Sequence, residues 1–284
     1  MPRSRLHRHV AVVTMLLAAV ACSNDEAPSE PRGLDAAAID ADIATTAGAS
    51  IASDVAVLMG NEASVATGFG ATGAVGSPNC TRDGNVTTCT GGRDGTLEVT
   101  RNVRYFDAAG ATQPQYDATT TARIDFGVRV AGTMSGPSFS GTVDRSSIMH
   151  VTGLAGSETQ RTWNGVGTAS ERGTFTGPDA TRTHEMVASD TTTDVTWVVA
   201  PTRAQYPASG SVVRRIAVRT TISGTRSGTF SAARRVEVTF NGTAQVPLTV
   251  SAVARGGTTV TRTCQLDLAA RSLACAEPTG QTAP

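Results

Sequence analysis

Few residues in this chain are equipped for chemistry. Of its four histidines, two fall within the first nine residues, leaving His150 and His184. Either could act as a general base if a carboxylate oriented it; Asp144 and Glu185 are the acids considered. The plainer role for each is a strand histidine on a solvent face. The G-x-S-x-G nucleophile elbow, the H-E-x-x-H zinc motif and any paired-histidine metal spacing are missing from the sequence. All 24 basic residues are arginine, which excludes lysine Schiff bases and a phosphate-loop lysine. Asp190 and Asp194 flank a threonine run, but the acidic, glycine-centred calcium loop does not occur. Trp163 and Trp197 could stack on a sugar, although a lone tryptophan in a β-domain more often fills the core. The arginine doublets at 214–215 and 234–235 fall on strand-like segments, where neighbours point to opposite faces, so neither makes a basic patch. These residues imply no catalytic centre, no metal and no cofactor. Trp163 and Trp197 stand as the weak ligand-binding candidates.

The elements that must position such residues begin with an export signal. Arg3, Arg5 and Arg8 precede a 12-residue apolar stretch at 10–21, the charge and length of a signal peptide and too short to span a bilayer. The stretch ends Ala19-Val20-Ala21-Cys22. Small residues ahead of a cysteine resemble the bacterial lipoprotein signal, with Ala19 where leucine is usual. The resemblance covers residues 1–22 only, and no family resemblance extends to the rest of the chain. It implies removal of residues 1–21, lipidation of Cys22 and a membrane partner reached through that anchor. Ser23, where aspartate would favour inner-membrane retention, points to the outer membrane. Ala19-Val20-Ala21 also fits an ordinary secretory cleavage site, so simple secretion is the alternative. Removing three arginines with the signal leaves 21 against 24 acids, a net charge of −3. A faintly acidic protein has no electrostatic drive towards nucleic acid.

Five cysteines become four once Cys22 is assigned to the lipid. Cys80 and Cys89 flank a turn signal at Asp83-Gly84-Asn85. A hairpin centred on Gly84-Asn85 sets the two cysteines directly opposite. A turn centred on Ala269-Ala270 sets Cys264 opposite Cys275, and Leu266 opposite Leu273. Opposed residues on antiparallel strands lie about 4.5–5.5 Å apart at Cα, a span a disulfide bridges. Each closed loop stabilises by roughly 2.5–3 kcal/mol on the chain-entropy account. The spacings are too wide for a zinc site, and an exported chain favours disulfides over free thiols.

Residues 22–33 are acidic, carry prolines and lack periodicity, which predicts a flexible tether. In 34–61, Ile39, Ile43, Ala47, Ile51, Val55 and Leu58 recur almost every four residues, with Asp40, Asp42 and Asp54 off that stripe. This predicts an amphipathic helix, capped by Asp35 and stopped at Gly60-Asn61. From residue 96 the period becomes two. Leu97, Val99, Val103 and Tyr105 alternate with polar residues, as do Ile124, Phe126, Val128 and Val130. Further strands are expected at 142–151, 159–169, 181–188 and 193–200. A hairpin follows, with Val212, Ile216, Val218 and Ile222 answered by Val236, Val238 and Phe240; pairing Ile216 with Val236 would set Arg215 against Glu237. Asn241-Gly242 reads as a two-residue hairpin turn, and Pro247 belongs where no ladder hydrogen bond is needed, on an edge. Residues 277–284 read as a frayed tail.

A chain that is Thr-, Val- and Gly-rich, with 17% charged and 4% aromatic residues, fits this pattern of strands and turns. The expectation is a mainly β domain over 62–276, an antiparallel meander of about ten to twelve strands with one N-terminal helix. It closes either as a sandwich or as one curved sheet, a half-barrel wrapping the helix; the second is preferred because a lone helix needs a face to cover. Scattered aromatics argue against a membrane barrel. The function expected is a non-enzymatic envelope lipoprotein, a binding or scaffold domain holding an apolar ligand or an envelope protein. An adhesin or glycan-binding module is the alternative.

Overall fold

A computed structural model describes residues 79–275, apart from short stretches at 94–95, 137–138, 157, 177–179, 200, 203, 225–226, 254–258 and 271. The signal, Cys22, the tether, the 34–61 helix and the 277–284 tail lie outside the described residues.

Thirteen strands form one antiparallel sheet. They are β1 (Asn79–Asp83), β2 (Val86–Arg93), β3 (Leu97–Asp107), β4 (Thr112–Gln113), β5 (Thr121–Gly136), β6 (Phe139–Thr152) and β7 (Gln160–Thr176). The second half is β8 (Ala180–Val198), β9 (Ser209–Gly224), β10 (Gly228–Thr239), β11 (Gln245–Val253), β12 (Thr259–Asp267) and β13 (Ser272–Cys275). Sheet order follows chain order throughout, except that the two-residue β4 lies beside β3 and off the main path. The path ends at β1 and β13, which do not pair with each other, so the sheet is open. No second sheet is present among the described residues, which decides against the sandwich. Twist accumulated over so many strands curls a single sheet on itself.

The two faces differ as the alternation requires. Along β9, Val212, Arg214, Ile216 and Thr220 are buried while Arg215, Ala217, Arg219 and Thr221 are exposed. One apolar cluster runs across the sheet from Val103 and Tyr105 on β3 to Leu266 on β12. Leu154, Phe240 and Leu268, in the connections at one end of the strands, complete it.

The cysteine hairpins stand as expected. Cys80 opposes Cys89 and Cys264 opposes Cys275, each pair bonded with Cα atoms 4.0 Å apart. Leu266 opposes Leu273. The first turn has two residues, and Gly84 at φ +56° supplies the left-handed conformation it needs.

Four expectations are corrected. Segments 181–188 and 193–200 are one 19-residue strand, β8. Its threonine run is good strand chemistry, and the irregularity falls later, at a bulge between Thr193 and Thr196 where Asp194 takes φ +47°. The β9–β10 register is offset by two residues from the one expected. Ile216 opposes Arg234, Val236 opposes Arg214, and Arg215 opposes Arg235. Glu237 pairs with Arg235 along its own strand, not with Arg215. Asn241-Gly242 belongs to a wider loop than a two-residue turn. The Asn241 side-chain amide donates to the Gln245 carbonyl, and its oxygen accepts from the Thr243 amide, bracing residues 240–244. Finally, Pro247 is on an interior strand. It opposes Gln265 on β12, while pairing with β10 stops one residue away at Val238–Leu248, so its missing N–H lies just outside that ladder.

Candidate functional site

The register assigns each sequence-derived candidate to a face. Trp163 (0% exposed) and Trp197 (1% exposed) are in the core. They come from adjacent strands with ring centroids 6.1 Å apart, and Phe126 meets Trp163 edge-on at 6.0 Å. Their rings form the floor of the buried face and present no stacking surface to a sugar in solvent. Gly165 follows Trp163 at a β7 bulge, where a Cβ would lie 2.4 Å from the Ile148 carbonyl oxygen. Only glycine admits so close an approach.

His150 sits on the exposed face, its side chain 49% accessible. Its Nδ1 lies 2.7 Å from Oδ1 of Asp125, which also pairs with Arg123 at 3.0 Å. The acid beside His150 is therefore Asp125, not Asp144, which forms a two-bond pair with Arg129. His184 sits on the buried face, with Nδ1 2.8 Å from the Thr220 hydroxyl. Burial, and secondarily the Arg182 charge, lowers its pKa from the ordinary 6.5. Glu185 points to the opposite face, towards Arg172. Asp190 and Asp194 do not converge: the first meets Arg214, the second the Asn164 amide at 3.1 Å. Among the described residues no cluster of three metal-ligating side chains occurs.

The feature that sequence reasoning missed is the charge on the buried face. Opposed residues in an antiparallel sheet share a face, so the register sorts the charged strand residues whose side chains are described. Arg82, Arg101, Arg145, Arg161, Arg182, Arg214, Arg234 and Arg262 lie in rows with Val103, Trp197, Val236, Ile216 and Val250. Among the described strand residues two acids share this face: Asp190, in the row of Arg101, Arg214 and Arg262, and Glu171, one row over from Arg145, with Asp107 closing a turn at the end of β3. The exposed face is balanced. Arg104, Arg123, Arg129, Arg172, Arg215, Arg219 and Arg235 share it with Asp83, Glu98, Asp125, Asp144, Glu185, Glu237 and Asp267.

Two ion pairs organise the middle of the arginine band. Arg214, 2% exposed, grips Asp190 through Nε–Oδ1 at 2.6 Å and Nη2–Oδ2 at 2.9 Å. This fork fixes both planes and compensates two charges taken out of water. Arg145 donates from Nε to Glu171 at 2.6 Å. Burial lowers the Arg234 pKa, and burial pushes the Tyr105 phenol up to about 12, Arg82 opposing. The buried face is thus an apolar, aromatic-floored surface crossed by fixed positive charge. Among the described residues no nucleophile and base converge on it.

No protein-family model matches the chain, and no curated protein or solved structure matches it. The functional reading therefore rests on the site alone.

The signal that would have found the arginine band was in the alternation. Arg101 follows Leu97 and Val99 in the apolar phase, and Arg214 falls between Val212 and Ile216. Each is an arginine at an inward position of its own strand, and together they make a band only once the register aligns the strands.

Proposed function

We propose that this chain is a non-enzymatic cell-envelope lipoprotein. Cys22 carries the lipid that anchors it, residues 22–33 form the tether, and the β-domain binds or scaffolds at the membrane surface, outer membrane by the Ser23 criterion. Its partners are the membrane through that anchor and an apolar ligand or an envelope protein. Neither a cofactor nor nucleic acid has a part in this reading.

The observation that carries the binding role is the buried face itself, a broad apolar floor with eight arginines in its rows. Of these only Arg214 is buried, while Arg82 and Arg182 are exposed and the other five half-buried, and such a cluster of one sign beside apolar side chains suits recognition of an acidic, apolar-bodied partner. The two disulfides fit an oxidising compartment.

Two measurements test the reading. Radiolabelled palmitate fed to expressing bacteria should enter the protein, and Cys22→Ala should abolish both labelling and membrane fractionation. Unlabelled wild type would refute the anchor. Native mass spectrometry of residues 23–284, exported without the lipid, tests the binding mode. Extra mass that leaves on denaturation makes the domain a carrier and reveals its cargo class. A bare mass makes it a scaffold and directs crosslinking towards envelope proteins.

A further inference from the structure

The exposed face also carries a cleft. It opens at the tips of β5, β6 and β7 with a volume of about 370 Å³. Thr133, Ser135, Ser140, Thr142, Thr174 and Arg172 line it, and Met134 is the one apolar side chain at its wall. The register explains this polarity. Ser135, Ser140, Thr174, Thr183, Thr221 and Thr229 oppose one another in turn, one hydroxyl from each of β5 to β10. Neighbouring hydroxyls come within 3.4 Å at Thr174–Thr183 and at Thr221–Thr229. Threonine is common on strand surfaces, yet the parallel row four residues away holds Ala131, Asp144, Val187 and Ala217, so an unbroken hydroxyl row is not the rule of this face.

The row between these two supplies charge. Arg172 opposes Thr142 and Glu185, and Arg219 lies beyond Glu185, so two guanidiniums share one carboxylate. Arg172 is 65% exposed and stands 3.8 Å from Glu185, an ion pair too long for a hydrogen bond. Asp144, two residues along β6 from Thr142, is already engaged by Arg129 in two bonds.

We propose that this cleft and its hydroxyl row bind an acidic glycan, a chain of sugars carrying carboxylates. Serine and threonine hydroxyls both donate and accept, as sugar hydroxyls require. Arg172 offers a planar fork that fits a carboxylate. The cleft lacks the apolar lining of a site for an apolar ligand. The six strands span five spacings of about 4.8 Å, about 24 Å in all, the length of a chain and not of a single anion. The site uses neither Trp163 nor Trp197, and it depends neither on Cys22 nor on the buried face.

The test is isothermal titration calorimetry of residues 23–284 with an oligogalacturonide and, separately, an oligomannuronate. Binding of at least one is expected, about tenfold weaker in Arg172→Gln and severalfold weaker in Thr174→Val/Thr183→Val. Methyl-esterification of the bound oligomer removes its charge and should weaken binding as Arg172→Gln does. Arg104→Gln makes the same charge change on the same face near the other end of β3, opposite Asp125, and should bind as wild type. Unchanged urea midpoints verify that each variant is folded. Absence of binding to both oligomers would overturn the proposal, as would undiminished binding by Arg172→Gln. Equal affinity for inorganic phosphate or monomeric galacturonate would overturn it in favour of a single-anion site. An equal loss in Arg104→Gln would do so in favour of net charge alone.

Discussion

The Asp190–Arg214 fork should respond asymmetrically to losing one partner or both. Asp190→Leu leaves the Arg214 guanidinium, 2% exposed, without its two-bond acceptor. Removing one member of a buried pair typically costs about 3–5 kcal/mol because the remaining charge stays desolvated. The Asp190 side chain keeps 20% of its exposure, which places this site near the lower figure, about 3 kcal/mol. Arg214→Met should cost less, about 2 kcal/mol, since the remaining carboxylate reaches some water. The double variant Asp190→Leu/Arg214→Met replaces the pair by apolar side chains among Val212, Ile216 and Val236, and should fall within about 1 kcal/mol of wild type. Urea unfolding of residues 23–284, followed by tryptophan emission, is the assay. With a slope of about 2 kcal/mol per molar, the midpoint should drop by about 1.5 M for Asp190→Leu, about 1 M for Arg214→Met and under about 0.5 M for the double variant. A double variant that loses the sum of the two single drops would refute the claim that each charge is held in place by the other.

Trp163→Ala should cost about 3–5 kcal/mol, since the ring is fully buried against Phe126 and Trp197, and differential calorimetry would show the fall in midpoint. Cys264→Ser/Cys275→Ser should cost roughly 3 kcal/mol in urea, and intact wild type should gain four hydrogens in mass on full reduction of its two bridges. His184 gives a pH dependence of definite sign: its folded pKa lies below 6.5, so the native state favours the neutral ring. Stability from this group is full above pH 6.5 and declines as pH falls below it towards the folded pKa. His184→Gln should flatten the urea midpoint between pH 8 and pH 5, and an equally steep profile in that variant would assign the dependence elsewhere.

The fold was legible where short-range constraints act alone. The alternation of Leu97, Val99, Val103 and Tyr105 fixes which side of β3 faces the core, and the cysteine spacings fix the register of both terminal hairpins. The β9–β10 register was not legible, because several offsets of two preserve the apolar face equally well and only the loop chooses among them. The Asn-Gly signal failed for a related reason. Asn241 can support a tight turn, but here its side chain bridges to Gln245 and makes a wider loop favourable. The charged band escaped because it belongs to no strand in particular. An arginine between Val212 and Ile216 looks like one exception to a pattern, and its partner Asp190 lies 24 residues earlier. Trp163 and Trp197, carried as ligand-binding candidates, instead take the commoner place of a lone tryptophan in a β-domain, the core.

Because sheet order follows chain order, each strand of the main path finds its partner in the strand made just before it, with only β4 intervening once. A chain emerging from a narrow channel, amino end first, could therefore zip up one hairpin at a time without waiting for its carboxyl end. The same locality governs oxidation. The native disulfides join cysteines 9 and 11 residues apart, whereas any swapped pairing among these four must join opposite ends of the domain. Closing a short loop costs less chain entropy than closing one of well over a hundred residues. Correct pairing is thus also the nearest pairing, and Cys80–Cys89 can be sealed before Cys264 has left the channel. Forming the two bridges needs an oxidant, and the pairing that closes most readily is the native one.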